Sequence, residues 1–296
     1  MKRLVLVVAT AVALAACGSA SAWKPQAAAP PAVPLPDVTR VVVVVFENHE
    51  ATAIVGNPDA PTFNALGRRY ARITLYFGVT HPSLPNYLAL VSGSTQGITS
   101  DCTSCVVNAT NLADSLDKAH KTWKTYAEDL PSAGYTGAFH AKYAKKHDPF
   151  MYFKDINTAK ARRAHIVPFT RLASDVAKKQ LPAFSLIVPN LCSDMHDCDV
   201  ATGDAWLNTN IVPLLNSPTL AGGVVFVVFD EAEKTDQTGG GGQVYALALG
   251  PTVKPGSTFA KATNHYGLLR TIEDAWHLPR LAHSKTATPI TGIWQG

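Results

Sequence analysis

Charge is scarce in this chain, and neither sign dominates. Asp, Glu, Lys and Arg make up 16% of its 296 residues, with 26 basic against 22 acidic side chains. Two of the basic residues, Lys2 and Arg3, head a leader-like segment, so the remainder is close to neutral. Such a balance excludes the basic footprint of a nucleic-acid-binding protein. Together with 47% hydrophobic residues, it also excludes global disorder and implies a sizeable buried core. Gly-x-Ser-x-Gly is absent, which argues against acyl chemistry of the α/β-hydrolase type. No internal repeat occurs, and past the first residues no apolar run is long enough to span a bilayer.

Cysteine is sparse as well, with five residues. Cys17 closes an apolar stretch, residues 4–16, that follows Lys2 and Arg3. Leu14-Ala15-Ala16-Cys17-Gly18 has the form of a bacterial lipobox, so residues 1–16 are expected to be a lipoprotein signal peptide. Ordinary cleavage after Ala20-Ser21-Ala22 is the alternative. An exported protein follows from either, membrane-anchored in the first case and secreted in the second. The other four cysteines form two close pairs, Cys102/Cys105 and Cys192/Cys198, read as two short-loop disulfides in an oxidising compartment. A four-Cys zinc site fits less well, because the second pair lacks zinc-knuckle spacing.

What is present organises itself around Thr80-His81-Pro82-Ser83-Leu84-Pro85-Asn86-Tyr87. Pro82 biases His81 towards extended backbone, and Pro85 suits a first helical turn. Ser83 is therefore expected at a corner between a strand over 73–79 and a helix from 87, near free N–H groups that favour an anion.

Residues 17–37 read as a Pro/Ala-rich tether, and the folded domain is expected over 38–296. Five consecutive valines within 40–46 predict a strand buried on both faces, ending in Glu47-Asn48-His49-Glu50. Helices are expected over 62–71, 111–120, 169–179, 203–215 and from Asn264-His265-Tyr266. Further strands are expected over 122–127, 183–188, 222–229 and 244–249, with Gly239 to Gly242 as a flexible loop. The stretch 131–168 is irregular, and its Lys142, Lys145, Lys146 and His147 read as a solvated basic face or a cap that selects anionic substrates.

Several buried-type segments thus end in functional groups: Glu47/Asn48, Ser83, Asp194/His196/Asp197 and Asp230/Glu231, with His265 opening a helix. In open α/β sheets such groups gather beyond the carboxyl ends of strands. Adjacent carboxylates repel unless a cation lies between them, so a divalent metal is the natural partner. With Glu47, Asn48, Ser83, Asp230 and Glu231 as ligands the ion is Mg²⁺, Ca²⁺, Mn²⁺ or Zn²⁺. Coordination would activate a serine for attack on phosphorus without a histidine base.

These segments together resemble the bacterial phosphoesterase family of acid phosphatases and phospholipases C. Tyr126-Ala127-Glu128-Asp129-Leu130-Pro131 and the segment Lys142-Tyr143-Ala144-Lys145-Lys146-His147 look closest to compact secreted mycobacterial acid phosphatases, a group that includes enzymes acting on phosphatidylinositol 3-phosphate. The resemblance implies an alkaline-phosphatase-like fold, an α/β three-layer sandwich with a central, mainly parallel sheet flanked by helices. It implies Ser83 as the nucleophile of a phosphoserine intermediate, preferred to Thr80, with Asn86 as a donor to phosphate. His81, His196 and His265 become candidates for leaving-group protonation or phosphate contact, with Asp197 orienting His196. Because Asp230-Glu231 stands where two-zinc relatives have Asp-His, one ion is expected rather than two. The expected reaction is phosphomonoester hydrolysis, phosphoinositides and other lipid phosphates included, with phospholipase C-type diester cleavage as the alternative. The expected partners are that substrate and a membrane reached only through the lipid anchor, with no nucleic acid and a monomeric chain.

Overall fold

The structure is a computed structural model that describes Met1 and residues 34–295. The expected signal peptide, Cys17 and most of the tether lie outside the described residues. Leu35, late in the expected tether, is buried with the core. Among the described residues no helix is long and apolar enough to cross a membrane.

The valine run does what its composition dictates. The strand Arg40–Phe46 has Val41 to Val45 at no more than 1% exposure and lies near the middle of an eight-stranded sheet. Strand order across that sheet is Thr258–Phe259, Ala71–Ile73, Ala246–Leu249, Gly223–Phe229, Arg40–Phe46, Phe184–Val188, Trp123–Ala127 and Ile166–Pro168. All pairs are parallel except those of Ala246–Leu249, which runs antiparallel to both neighbours. β-branched residues buried on both faces are the signature of such a sheet. Helices flank it, with Pro61–Arg69 packed on Val200–Asn210 and Ser83–Ser92 packed on His265–Ala275.

Every residue of the helix Ser83–Ser92 is buried. Its stop is Gly93, at φ +70°, where a side chain would collide with the Leu281 carbonyl. The neighbouring helix His265–Ala275 is capped by Asn264, whose side chain accepts from Tyr266 N at 3.1 Å and Gly267 N at 3.3 Å.

Three expectations need correction. The single strand over 73–79 does not form. Ala71–Ile73 joins the main sheet, a turn at Thr74-Leu75 intervenes, and Tyr76–Phe77 pairs with Gln243–Val244 and Thr263–Asn264 in a separate three-stranded sheet. The strand over 244–249 divides at Tyr245 for the same reason, each half serving a different sheet. The helix over 203–215 begins earlier, at Val200, because Asp199 caps it. It ends at Asn210, and Pro213 falls within a separate turn, Val212–Leu215.

Candidate active site

Strand register performs the first step of assembly. Phe46 pairs with Phe229 across two parallel strands, so Glu47 and Asp230 leave the sheet side by side. Asp230 N donates to Phe46 O and Glu47 N to Asp194 O, both at 2.9 Å, which draws the 192–198 loop into the same place. A disulfide between Cys192 and Cys198 closes that loop, and a second joins Cys102 to Cys105. Asn48, in the left-handed region at φ +56°, donates its N–H to Asp230 Oδ1 at 3.3 Å.

Ser83 stands at the start of its buried helix, with Oγ 2.8 Å from Glu47 Oε2 and 3.2 Å from Glu231 Oε1. A hydroxyl has one hydrogen, so only one of these carboxylates can receive it. The second must carry a proton or face a cation. Glu47 Oε1 is held by Tyr87 OH at 2.7 Å, and the Tyr87 ring stacks on His147 at 5.1 Å between centroids. His147 lies 3.3 Å from Glu47 Oε1 and 3.0 Å from Asp194 Oδ2, without the alignment of a hydrogen bond.

Four acids in so little space oppose one another's ionisation. Burial, then the neighbouring Asp230, holds Glu47 well above the usual carboxylate range, and burial followed by Glu231 does the same to Asp230. Burial and the nearby Glu47 push Glu231 up to about 8, and burial pushes Asp194 up to about 7. Burial lowers His147 to about 4, so it is neutral at neutral pH.

Asp230 Oδ2, Asp194 Oδ2 and Glu231 Oε2 are buried without an aligned hydrogen bond, although His147 lies 3.0 Å from Asp194 Oδ2 and His81 2.6 Å from Glu231 Oε2. Unsatisfied, mutually repelling oxygens of this kind are what a divalent cation would satisfy, so the residues present fit a metal. Glu47, His147 and His196 also bring ligand atoms within 4.8 Å of one another.

The other expected site residues divide. His81 lines the crevice with Nδ1 2.6 Å from Glu231 Oε2, and its Nε2 is 2.9 Å from the Asp236 carbonyl. His196 lines it too, with Nδ1 2.7 Å from Asp197 Oδ1. Asn86 does not reach the crevice. Its Oδ1 accepts from Val79 N and Thr80 N and its Nδ2 donates to Thr80 O and Pro82 O, so the amide braces the loop instead of offering a donor to phosphate. His265 is likewise withdrawn, 1% exposed between Tyr76 OH at 3.0 Å and the Asp230 carbonyl at 2.6 Å. Burial lowers it to about 4, and its place is behind Asp230.

The Gly239 to Gly242 loop is not the free linker its composition suggests. Gly241 N donates to Gly78 O at 3.1 Å, and a side chain on Gly240, at φ +109°, would collide with the Val79 carbonyl. The loop carrying Asp230 and Glu231 is thereby packed on the one leading to Ser83.

Sequence reasoning missed Tyr87, His147 and the pair Asp101–Lys146. Lys146 Nζ lies 3.0 Å from Asp101 Oδ2 and 3.0 Å from His196 Nε2. Burial works against its charge, but Glu47 and Asp101 outweigh that and raise its pKa. The signal that points to Lys146 and His147 is their place in the motif 142–147, whose basic composition alone suits a solvated face or an anion-selecting cap as well as a site.

The model of the phosphoesterase family matches residues 56–279. The chain belongs to the phosphoesterase family. Among its relatives, a phosphatidylinositol-3-phosphatase of Mycobacterium tuberculosis is 37% identical over 263 residues, 88% of this chain and 84% of that one. An acid phosphatase of Aspergillus fumigatus is 30% identical over 221 residues, 71% of this chain and 49% of its own, so the chain spans about half the length of that fungal relative. Solved structures agree on the fold. A protein of the alkaline phosphatase superfamily from Vibrio parahaemolyticus aligns with TM-score 0.58 at 12% identity, covering 86% of this chain and 72% of that one. The murine ectonucleotide pyrophosphatase/phosphodiesterase 5 aligns with TM-score 0.53 at 13% identity, covering 83% and 96%. This phosphoesterase therefore has an alkaline-phosphatase-like fold and is an enzyme of the phosphoric monoester hydrolase class.

Proposed function

We propose that the protein hydrolyses phosphate monoesters by way of a phosphoserine at Ser83, with a divalent metal held by Glu47, Asn48, Ser83, Asp230 and Glu231. The observation that carries this reading is the position of Ser83 Oγ between the carboxylates of Glu47 and Glu231. A bound divalent ion would lower the hydroxyl pKa and neutralise a phosphoryl oxygen.

Ser83 gives its proton to Glu47 and attacks phosphorus, forming the Oγ–P bond as the ester P–O bond breaks. The leaving alkoxide takes a proton from a group at the crevice wall, for which His81 and His196 are placed. Water then attacks the phosphoserine and gives a proton to the wall group that protonated the alkoxide. The Oγ–P bond breaks, Ser83 takes its proton back from Glu47, and phosphate departs. Asp197 at His196 Nδ1 would fix the tautomer, with Nε2 turned to Lys146 Nζ at 3.0 Å on the crevice wall.

The crevice, about 600 Å³, is walled by His81, Ser83, Asp101, Lys146, His196 and Lys234, among others. Glu231 and Glu233 stand on the same wall, so a bound divalent ion would be needed to offset its acids before it suits an anionic head group, the 3-phosphate of a phosphoinositide included. Among the described residues Pro82 is its one apolar side chain, and it offers no apolar trough for acyl chains. Monoester cleavage is therefore favoured over phospholipase C-type diester cleavage. The test is phosphate release from p-nitrophenyl phosphate and from phosphatidylinositol 3-phosphate, with and without added divalent ions. Diacylglycerol among the lipid products would overturn the monoester assignment.

An exported location, with lipid on Cys17, is supported by the two disulfides and the leader-like start. Labelling with a radioactive fatty acid tests it, and an unlabelled product would remove the anchor.

A further inference from the structure

We propose that Lys146 is the residue that grips the substrate phosphate, and that Asp101 is a built-in counter-ion opposing that grip. The proposal rests on the phosphate-ester reading above. Lys146 lies in the turn Lys145–His147, packed on the helix that begins with Ser83, and lines the crevice with its side chain 14% exposed. An ammonium has three N–H donors. Among the described residues Asp101 and His196 take two, and the third has no partner. A part-buried ammonium with a spare donor, on the wall of the crevice that holds the nucleophile, is matched by a phosphoryl oxygen.

Asp101 stands on the same wall and presents a negative charge to any anion that enters. Its other oxygen, Oδ1, accepts from Leu84 N at 2.9 Å, one residue past the nucleophile. The residue thus has two separable duties. Asp101→Asn keeps an oxygen for the Leu84 N–H while removing the charge that competes with phosphate for Lys146. A brace between two surface groups would lose function with either partner, whereas a grip and its counter-ion respond in opposite directions.

The test is calorimetric titration with inorganic phosphate of the metal-supplied protein and three variants, with p-nitrophenyl phosphate turnover measured in parallel. Lys146→Gln should weaken phosphate binding by about tenfold or more, the worth of a charge-assisted hydrogen bond. Lys146→Arg should hold it within about threefold, since the charge and donors remain. Asp101→Asn should tighten it several-fold, by removing like-charge repulsion. Melting curves establish that each variant is folded, and Lys146→Arg and Asp101→Asn carry the decision should Lys146→Gln not fold. Wild-type affinity in Lys146→Gln, or weakening in Asp101→Asn as large as that in Lys146→Gln, would overturn the proposal while leaving the phosphatase reading intact. Absence of turnover in the wild type would count against that reading alone, and the opposite responses of the two sites would still support an anion grip.

Discussion

Ser83 donates its hydroxyl hydrogen to Glu47 across 36 residues of chain, 2.8 Å from Oγ to Oε2. That bond links the end of the valine strand to the start of the most buried helix. It gives Ser83 both a proton acceptor and a fixed direction of approach. Ser83→Ala should remove turnover of p-nitrophenyl phosphate by roughly three orders of magnitude or more, the scale on which loss of a nucleophile acts. The fold should survive, since the substitution deletes one oxygen. Retained turnover in a folded variant would take Ser83 out of the chemistry.

Asp230 and Glu231 should lose metal without loss of fold. Asp230→Asn and Glu231→Gln each replace a carboxyl that burial and its neighbours hold well above the usual range by a neutral amide of the same shape, so the metal-free proteins should melt no lower than wild type. Manganese affinity should fall by at least the ~10- to 100-fold that loss of a merely supporting residue costs. Titration followed by the paramagnetic signal of free Mn²⁺ measures this without reference to turnover. Equal affinity in all three proteins would place the ion elsewhere.

Asn86 separates two roles that spacing alone confounds. Its four hydrogen bonds hold the turn from Val79 to Pro82. Asn86→Ala should therefore cost on the order of 2–4 kcal/mol of stability, at about 1 kcal/mol or less for each part-buried bond. Denaturant unfolding checks the figure. A variant with unchanged stability and selectively weakened phosphate binding would restore the role expected from the sequence.

Much of the fold was legible because buried β-branched runs announce themselves. Val41 to Val45 and the segment from Gly223 to Phe229 could hardly be anything but central strands, and the acids that follow them stood out by contrast. The residues that escaped notice reach the crevice by irregular routes. Lys146 and His147 arrive through the hairpin Phe139–His140/Tyr143–Ala144 and a short 3₁₀ turn, where no periodicity points to a face. The resemblance that implied a phosphate donor at Asn86 is the same whether the amide faces the crevice or turns back onto its own loop, as it does here. The turn at Thr74-Leu75 was hidden inside an apolar run whose composition suits one strand as well as two.

Glu273 provides a pH test remote from the crevice. Its buried carboxyl accepts from Ser284 Oγ at 2.5 Å and Leu281 N at 2.8 Å, and burial pushes it up from an ordinary 4.5 to about 7. The folded chain holds this proton more tightly than the unfolded chain does. Its stabilising effect is therefore complete below about 4.5 and lost as pH rises through 7. Glu273→Gln keeps an acceptor and has no charge to bury. The difference in melting temperature between variant and wild type should move in the variant's favour from pH 5 to pH 8, by about 3 °C or more. A constant difference over that range would show that Glu273 does not titrate there.

Both disulfides sit beside the crevice: Asp101 directly precedes Cys102, and Asp194, His196 and Asp197 lie between Cys192 and Cys198. A copy of the chain retained among reduced thiols would lack both ties, and with them the placement of the groups around Ser83. Loss of p-nitrophenyl phosphate turnover on reduction would couple catalytic competence to an oxidising compartment and spare the phosphate esters of a reducing one.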